Sequence, residues 1–174
     1  MSPPGAYWKS QGGFTLVEVL IASAIGALLM AALTSVVLTS WRAATIASSR
    51  VEASSEVRNF EYYAYDDFAR SAVPNSGSCI PASPCTTTPL ALHGYRVSNS
   101  VPVPSSFSVT YAWDGSQYLD RTISSTGATE HMATDVTRFQ WYVDTNATVV
   151  VSMTVTVQAY SESQTFRFYP KLNP

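Results

Sequence analysis

Between Pro4 and Pro74 the sequence contains no proline, and between Lys9 and Arg42 it contains one charged residue, Glu18. The first absence permits an unbroken helix from about Phe14 to about Arg70, since an interior proline would remove a donor and clash with the preceding turn. The second leaves an apolar or small-residue run from Phe14 to Trp41, which at ~1.5 Å per residue makes ~42 Å of helix against a hydrocarbon core of ~30 Å. Charge is scarce everywhere. Asp, Glu, Lys and Arg make up 13% of the 174 residues, against roughly 25% in an ordinary soluble protein. A net charge of -2 with scattered cations gives no electrostatic footprint of a nucleic-acid binder. The length suits one membrane-anchoring element and one modest folded domain.

Cysteine and histidine are equally sparse. The two cysteines, Cys79 and Cys85, stand in one loop, "SGSCIPASPC", while His93 and His131 are single and far apart. No zinc set can be assembled from them, so a local disulfide is the better reading, with two free thiols in a mobile loop as the alternative. A disulfide implies an oxidising compartment. Also missing are a Gly-x-Ser-x-Gly elbow, an HExxH pair, a phosphate-binding glycine loop and an EF-hand. The expectation is therefore a non-enzyme with no catalytic residues, cofactor or metal. "NAT" at 146–148 is formally a glycosylation sequon, but it falls in an expected hairpin turn.

What is present begins with "GGFTLVEVLIA" at 12–22. A secretory signal has a basic start, an apolar core of about 7–15 residues and a small-residue cleavage site after it. Here the small residues, Gly12-Gly13, come before the apolar run, and a glutamate sits inside it. The stretch resembles the processing site of type IV prepilins and type II secretion pseudopilins. That resemblance implies a leader over 1–13, cleavage after Gly13 by a membrane aspartyl protease, and methylation of the new terminus, Phe14, by the same enzyme. It makes Glu18 the fifth residue of the mature chain. A charge in hydrocarbon costs about 2.5–3.5 kcal/mol on insertion scales, yet Glu18 can meet the Phe14 amine of a neighbouring subunit, where paired charges attract strongly. The alternative is a glutamate that snorkels to the interface. Phe14, Leu16, Val17, Glu18 and Leu20 are then the assembly residues. Implied partners are other pilins or pseudopilins, the prepilin peptidase and methyltransferase, the inner-membrane assembly platform and membrane lipid. The implied location is the bacterial inner membrane, crossed once, with the C-terminal domain exported to a periplasmic pseudopilus or surface pilus. Many major pilins carry a proline where Ser35 stands here, which favours the secretion-type or minor branch.

Beyond Trp41 the helix pattern turns amphipathic. Ile46, Ala53, Val57, Phe60, Ala64 and Phe68 share one face at 100° per residue, away from Glu52, Arg58, Asp66 and Arg70. Asp66 and Asp67 point in different directions and do not form a paired-carboxylate site. Pro74 and "NSGS" should end this half, 42–72. After the cysteine loop the period becomes two, with Phe107, Val109, Tyr111 and Trp113 alternating before Asp114-Gly115, a hairpin signal. A partner strand follows at about 117–123. A second meander reads "VTRFQWYVD", a turn at Thr145-Asn146, "TVVVSMTVTVQAY", a turn at Ser161–Gln164 and "TFRFYP". The two histidines are expected in loops or strand ends. The expected fold is α+β: a long N-terminal helix, membrane-spanning over 14–41, with a C-terminal antiparallel sheet over 73–174 laid on its second half. The order of the last elements resembles J-type minor pseudopilins and W-type minor pilins. Two other readings stand beside a minor filament subunit: a DNA-uptake or adhesive pilus subunit, and a single-span protein whose exported domain binds a ligand.

Overall fold

A computed structural model describes residues 13–98 and 101–171. The expected leader, with Lys9 and Gly12, lies outside them apart from Gly13. One helix, α1, runs Leu16–Ala69. The chain divides into two compact units, Met1–Ala44 and Thr45–Pro174, and α1 passes from one to the other.

In the first unit α1 carries an 18-residue window of mean hydropathy 2.4 with none of it buried, long and apolar enough to cross a membrane. Four of its hydroxyl side chains are satisfied within the helix. The hydroxyls of Ser23, Thr34, Ser35 and Thr39 donate to the carbonyls of Leu20, Met30, Ala32 and Ser35 at 2.8–2.9 Å. Such internal bonds let these residues sit where no water is available.

Among the described residues the second unit holds the rest of α1 and seven strands. β1 (Leu90–Ser98), β2 (Val101–Trp113), β3 (Leu119–Ile123) and β4 (Ala128–Ala133) form one antiparallel sheet in that order; β5 (Val136–Val143), β6 (Val149–Val157) and β7 (Tyr160–Phe168) form a second. The α+β arrangement is as expected, but there are two sheets where one was read. β1 and β4 were not anticipated, and they place His93 and His131 inside strands. β4 hides because "ATEHMA" exposes its first four residues and so lacks an apolar alternation.

The core forms where the periodicities meet. Ala53, Val57, Phe60, Ala64 and Phe68 of α1 are buried against alternate residues of β2, β5 and β6, among them Val109, Tyr111, Phe139, Trp141, Val151, Met153 and Val155. Ile46 is the exception, at 58% exposed. A helical pattern identifies a face but not how far the partner sheet extends along it, and burial on α1 begins at Ser49.

The β6–β7 turn also differs from expectation. It falls at Gln158-Ala159, with Gln158 at φ 54°, and Ser161–Gln164 belong to β7. Those small polar residues look like a loop in sequence. In the sheet they pair hydroxyl to hydroxyl, Ser161 with Thr156 and Ser163 with Thr154 at 2.9 Å, Thr165 with Ser152 at 3.0 Å, and such cross-strand pairs hold a register.

α1 stops at Ala69, ahead of Pro74, because the chain turns into a β contact: Ser71 bridges Gly94, and the Ala72 N–H donates to the His93 carbonyl at 2.8 Å. A Cβ on Gly94 would collide with the Arg70 carbonyl oxygen and come within 2.7 Å of Phe107 Cε1. Overpacking of this kind costs typically 1–3 kcal/mol. Gly94→Ala should lower the unfolding free energy by that amount, read as a lower urea midpoint at unchanged slope; an unchanged midpoint would show that the helix end moves aside freely.

Cys79 and Cys85 are joined in a disulfide. The closed loop lies on the edge of β5: Cys85 exchanges both backbone bonds with Trp141 at 2.9 Å, and the Val143 N–H donates to the Cys79 carbonyl at 3.1 Å. An exposed strand edge invites pairing with another chain, and here a covalent loop covers it.

Candidate functional site

The start of α1 is a capping box. Thr15 precedes the first helical residue, and Glu18 is the third within the helix. The Glu18 N–H donates to Thr15 Oγ1 at 3.3 Å, while the Thr15 N–H and hydroxyl both donate to Glu18 Oε2 at 3.1 Å. Two backbone donors that the helix leaves orphaned are thereby satisfied. The carboxylate also lies in the first turn, where the helix dipole favours negative charge. Thr-x-x-Glu before an apolar run is the sequence signal of this motif, and the readings of Glu18 as an intersubunit or a snorkelling group passed over it.

Around this box the expected assembly residues are all uncovered: Phe14, Leu16, Val17 and Leu20 are each more than half exposed. Gly13 has open space where a Cβ would stand and no positive φ. Nothing in the packing of the described residues calls for glycine there. The residues that sequence reasoning named for processing and assembly are thus contiguous, exposed and free of any structural duty except that of Glu18 in its cap.

A second cluster, which sequence reasoning missed, lies inside the folded unit. Asp67 and Arg121 are 1% and 4% exposed. Arg121 Nε donates to Asp67 Oδ2 at 2.7 Å and Nη2 to Oδ1 at 3.0 Å, a bidentate fork. The Tyr111 hydroxyl, 2.7 Å away, donates to the same Oδ2. Burial first, and the Asp67 charge second, push the Tyr111 phenol well above its usual range, while the hydrogen bond that Arg121 donates to Asp67 holds its guanidinium charged. The cluster ties α1 to β2 and β3 by fixed charges. The signal was available: Asp67 falls on the same helical face as Phe60, Ala64 and Phe68, where a carboxylate needs a partner. Asp66, one residue earlier, is exposed and pairs with Arg70 at 2.8 Å.

His131 Nδ1 lies 2.6 Å from Asp120 Oδ1 on the exposed face of β3 and β4, and His93 stands apart on β1. No group of three or more His, Cys, Asp or Glu suited to a metal occurs among the described residues. In the β2–β3 turn Asp114 Oδ1 accepts N–H bonds from Ser116, Gln117 and Tyr118 at 2.8–3.0 Å. These bonds, Gln117 foremost, lower its carboxyl to about 2; this is turn chemistry.

No curated protein and no solved structure matches the chain. Residues 8–34 match the family model of a prokaryotic N-terminal methylation motif. That segment contains Gly13, Phe14, Thr15 and Glu18, and it opens the apolar half of α1, so motif and helix together point to membrane anchoring. A methylation motif leading into a single apolar helix, with an antiparallel sheet domain behind it, is consistent with the type IV pilin and pseudopilin family.

Proposed function

We propose that the chain is a minor, non-catalytic subunit of a type IV pilus or type II secretion pseudopilus. It is cleaved after Gly13, methylated at Phe14 and held once through the inner membrane until α1 carries it into the filament, and its place is an initiation or tip complex. The methylation motif at 8–34 is the observation that carries this reading. The open space around Gly13 supports it, because a glycine without a packing role suits recognition by an outside enzyme. Cleavage would leave a charged amine on Phe14 beside a carboxylate already fixed at the helix start. The Thr15 cap makes Glu18 tolerable in the free subunit; a neighbour's amine makes it favourable in the filament.

Glu18→Gln separates these two duties, since glutamine also closes a capping box but carries no charge. In the native host the variant should be inserted, cleaved and methylated as usual, yet be depleted at least about tenfold from sheared filaments relative to wild type, a loss of roughly 1.4 kcal/mol of pairing or more. Undiminished incorporation would remove the charge of Glu18 from the account.

A further inference from the structure

Among the described residues the two sheets of the folded unit have four edge strands, β1, β4, β5 and β7, and three of these have something laid against them. β1 meets the chain that leaves α1, through the Ser71–Gly94 bridge and the Ala72 N–H. β4 is met by α1 itself: Asn59 Nδ2 donates to the Met132 carbonyl, and Glu56 accepts the Thr134 N–H just past the strand, both at 2.8 Å. β5 lies under the disulfide loop. β7 is bare. Its nine residues pair with β6 in unbroken register, and among the described residues its backbone makes no bond on the other side. The strand carries no proline, lysine or bulge, the usual devices that blunt an edge. Ser163, Gln164 and Thr165 are exposed in succession, so both faces are open at its middle.

We propose that β7 takes an added strand from another protein, an extended segment that pairs with it main chain to main chain. The side chains along the edge state the chemistry of that segment. On the outward face the hydroxyl rungs Ser152–Thr165 and Thr154–Ser163 end at β7, and threonines on the added strand continue them. Arg167 is exposed on that face and calls for a carboxylate opposite. On the core side Phe166 and Phe168 call for apolar neighbours, and a recess of about 140 Å³ beside Tyr65, Phe68 and Phe168 has room for one. Glu162, half-buried on the same side, calls for a cation. Laid antiparallel, the matching segment starts opposite Phe168 and reads apolar, acidic, apolar, threonine, any residue, threonine, lysine. A second copy fits less well. Its β7 in full antiparallel overlap sets Ser161 opposite Arg167 and Phe166 opposite Glu162, twice over, so that no charge meets its counter-charge. The proposal concerns the folded unit alone and does not depend on processing or filament entry.

The test uses the full chain in detergent micelles, titrated with the end-blocked peptide VEVTVTK and followed by calorimetry and amide hydrogen exchange. The peptide should bind saturably and slow exchange along β7, with β1, β4 and β5 unaffected. Its fully N-methylated form keeps the side chains but loses the backbone donors, and it should not bind. Arg167→Glu should weaken VEVTVTK about fivefold and bind VKVTVTK in preference. Arg167 is exposed, so the fold should survive, which unchanged urea unfolding would verify. No saturable binding would overturn the proposal, as would binding that leaves exchange along β7 unchanged or that the N-methylated peptide matches. Protection of β7 that grows with protein concentration and needs no peptide would overturn the choice of partner and assign the edge to a second copy.

Discussion

Asp67→Asn should lower the unfolding free energy of the folded unit by about 3–5 kcal/mol, the usual cost of leaving one member of a buried ion pair without its counter-charge. Arg121 is 4% exposed and donates two hydrogen bonds to the carboxylate that the substitution removes. The asparagine oxygen can still receive one donor, but its NH2 would then face the guanidinium or the Tyr111 hydroxyl. Nearby Glu130, at 3.7 Å and largely exposed, is too distant and too well solvated to replace it. The pair itself need not be stabilising. Replacing buried ionic clusters by apolar groups of similar volume is often neutral or favourable, so the triple change Asp67→Leu, Tyr111→Phe, Arg121→Met should recover most of what Asp67→Asn loses. The measurement is urea unfolding of a fragment starting at Thr45. That fragment should fold, because the core cluster begins at Ala53 and lies wholly within the Thr45–Pro174 unit. A loss below about 1 kcal/mol for Asp67→Asn would mean that water reaches Arg121, since exposed pairs are worth no more than that.

Phe60→Ala should cost about as much, roughly 3–5 kcal/mol, through a cavity instead of a charge. Phe60 is fully buried, and its ring meets Tyr111 of the first sheet at 5.6 Å and Phe139, Phe166 and Phe168 of the second at 6.1, 5.4 and 6.4 Å. It is therefore the point where the helix locks both sheets at once. The 79–82° edge-to-face pairs with Tyr111 and Phe139 add about 0.5–1.5 kcal/mol each beyond area burial. The loss is expected in the same urea assay, with the two sheets unfolding together. A biphasic transition in the variant would show that Phe60 is what couples the sheets; a loss under about 1 kcal/mol would show that the four surrounding rings collapse into the space.

The sequence was most legible where one period ran long against one environment. The apolar stretch from Phe14, the buried face from Ala53 to Phe68 and the alternations in β2, β5 and β6 follow from geometry, because a face packed against a single partner repeats its demand at every turn or second residue. It was least legible where polar groups pair with one another. Ser161 and Ser163 look like a turn until their partners on β6 are known, and the helical face that marks Asp67 as buried does not tell that its partner is Arg121, 54 residues away. Local propensity cannot encode a partner that only topology supplies. The first strand illustrates a third case: "LALHGYRVS" carries a glycine where a strand should not, and the reason is the helix end pressed against Gly94. At the N-terminus the difficulty was the reverse. A family resemblance gave Glu18 a distant role, and the nearer one, capping its own helix through Thr15, needed only the four-residue motif to be seen.

The central claim is that Phe14 becomes the first residue of the working protein. Mass spectrometry of the N-terminal peptide, from protein isolated from its native host, tests it directly. The account predicts a chain beginning at a methylated Phe14. A chain that keeps Gly13 and the residues before it, or one cut after the apolar run, would remove the amine that Glu18 is proposed to meet and leave a membrane-anchored or secreted sheet protein with no claim to a filament.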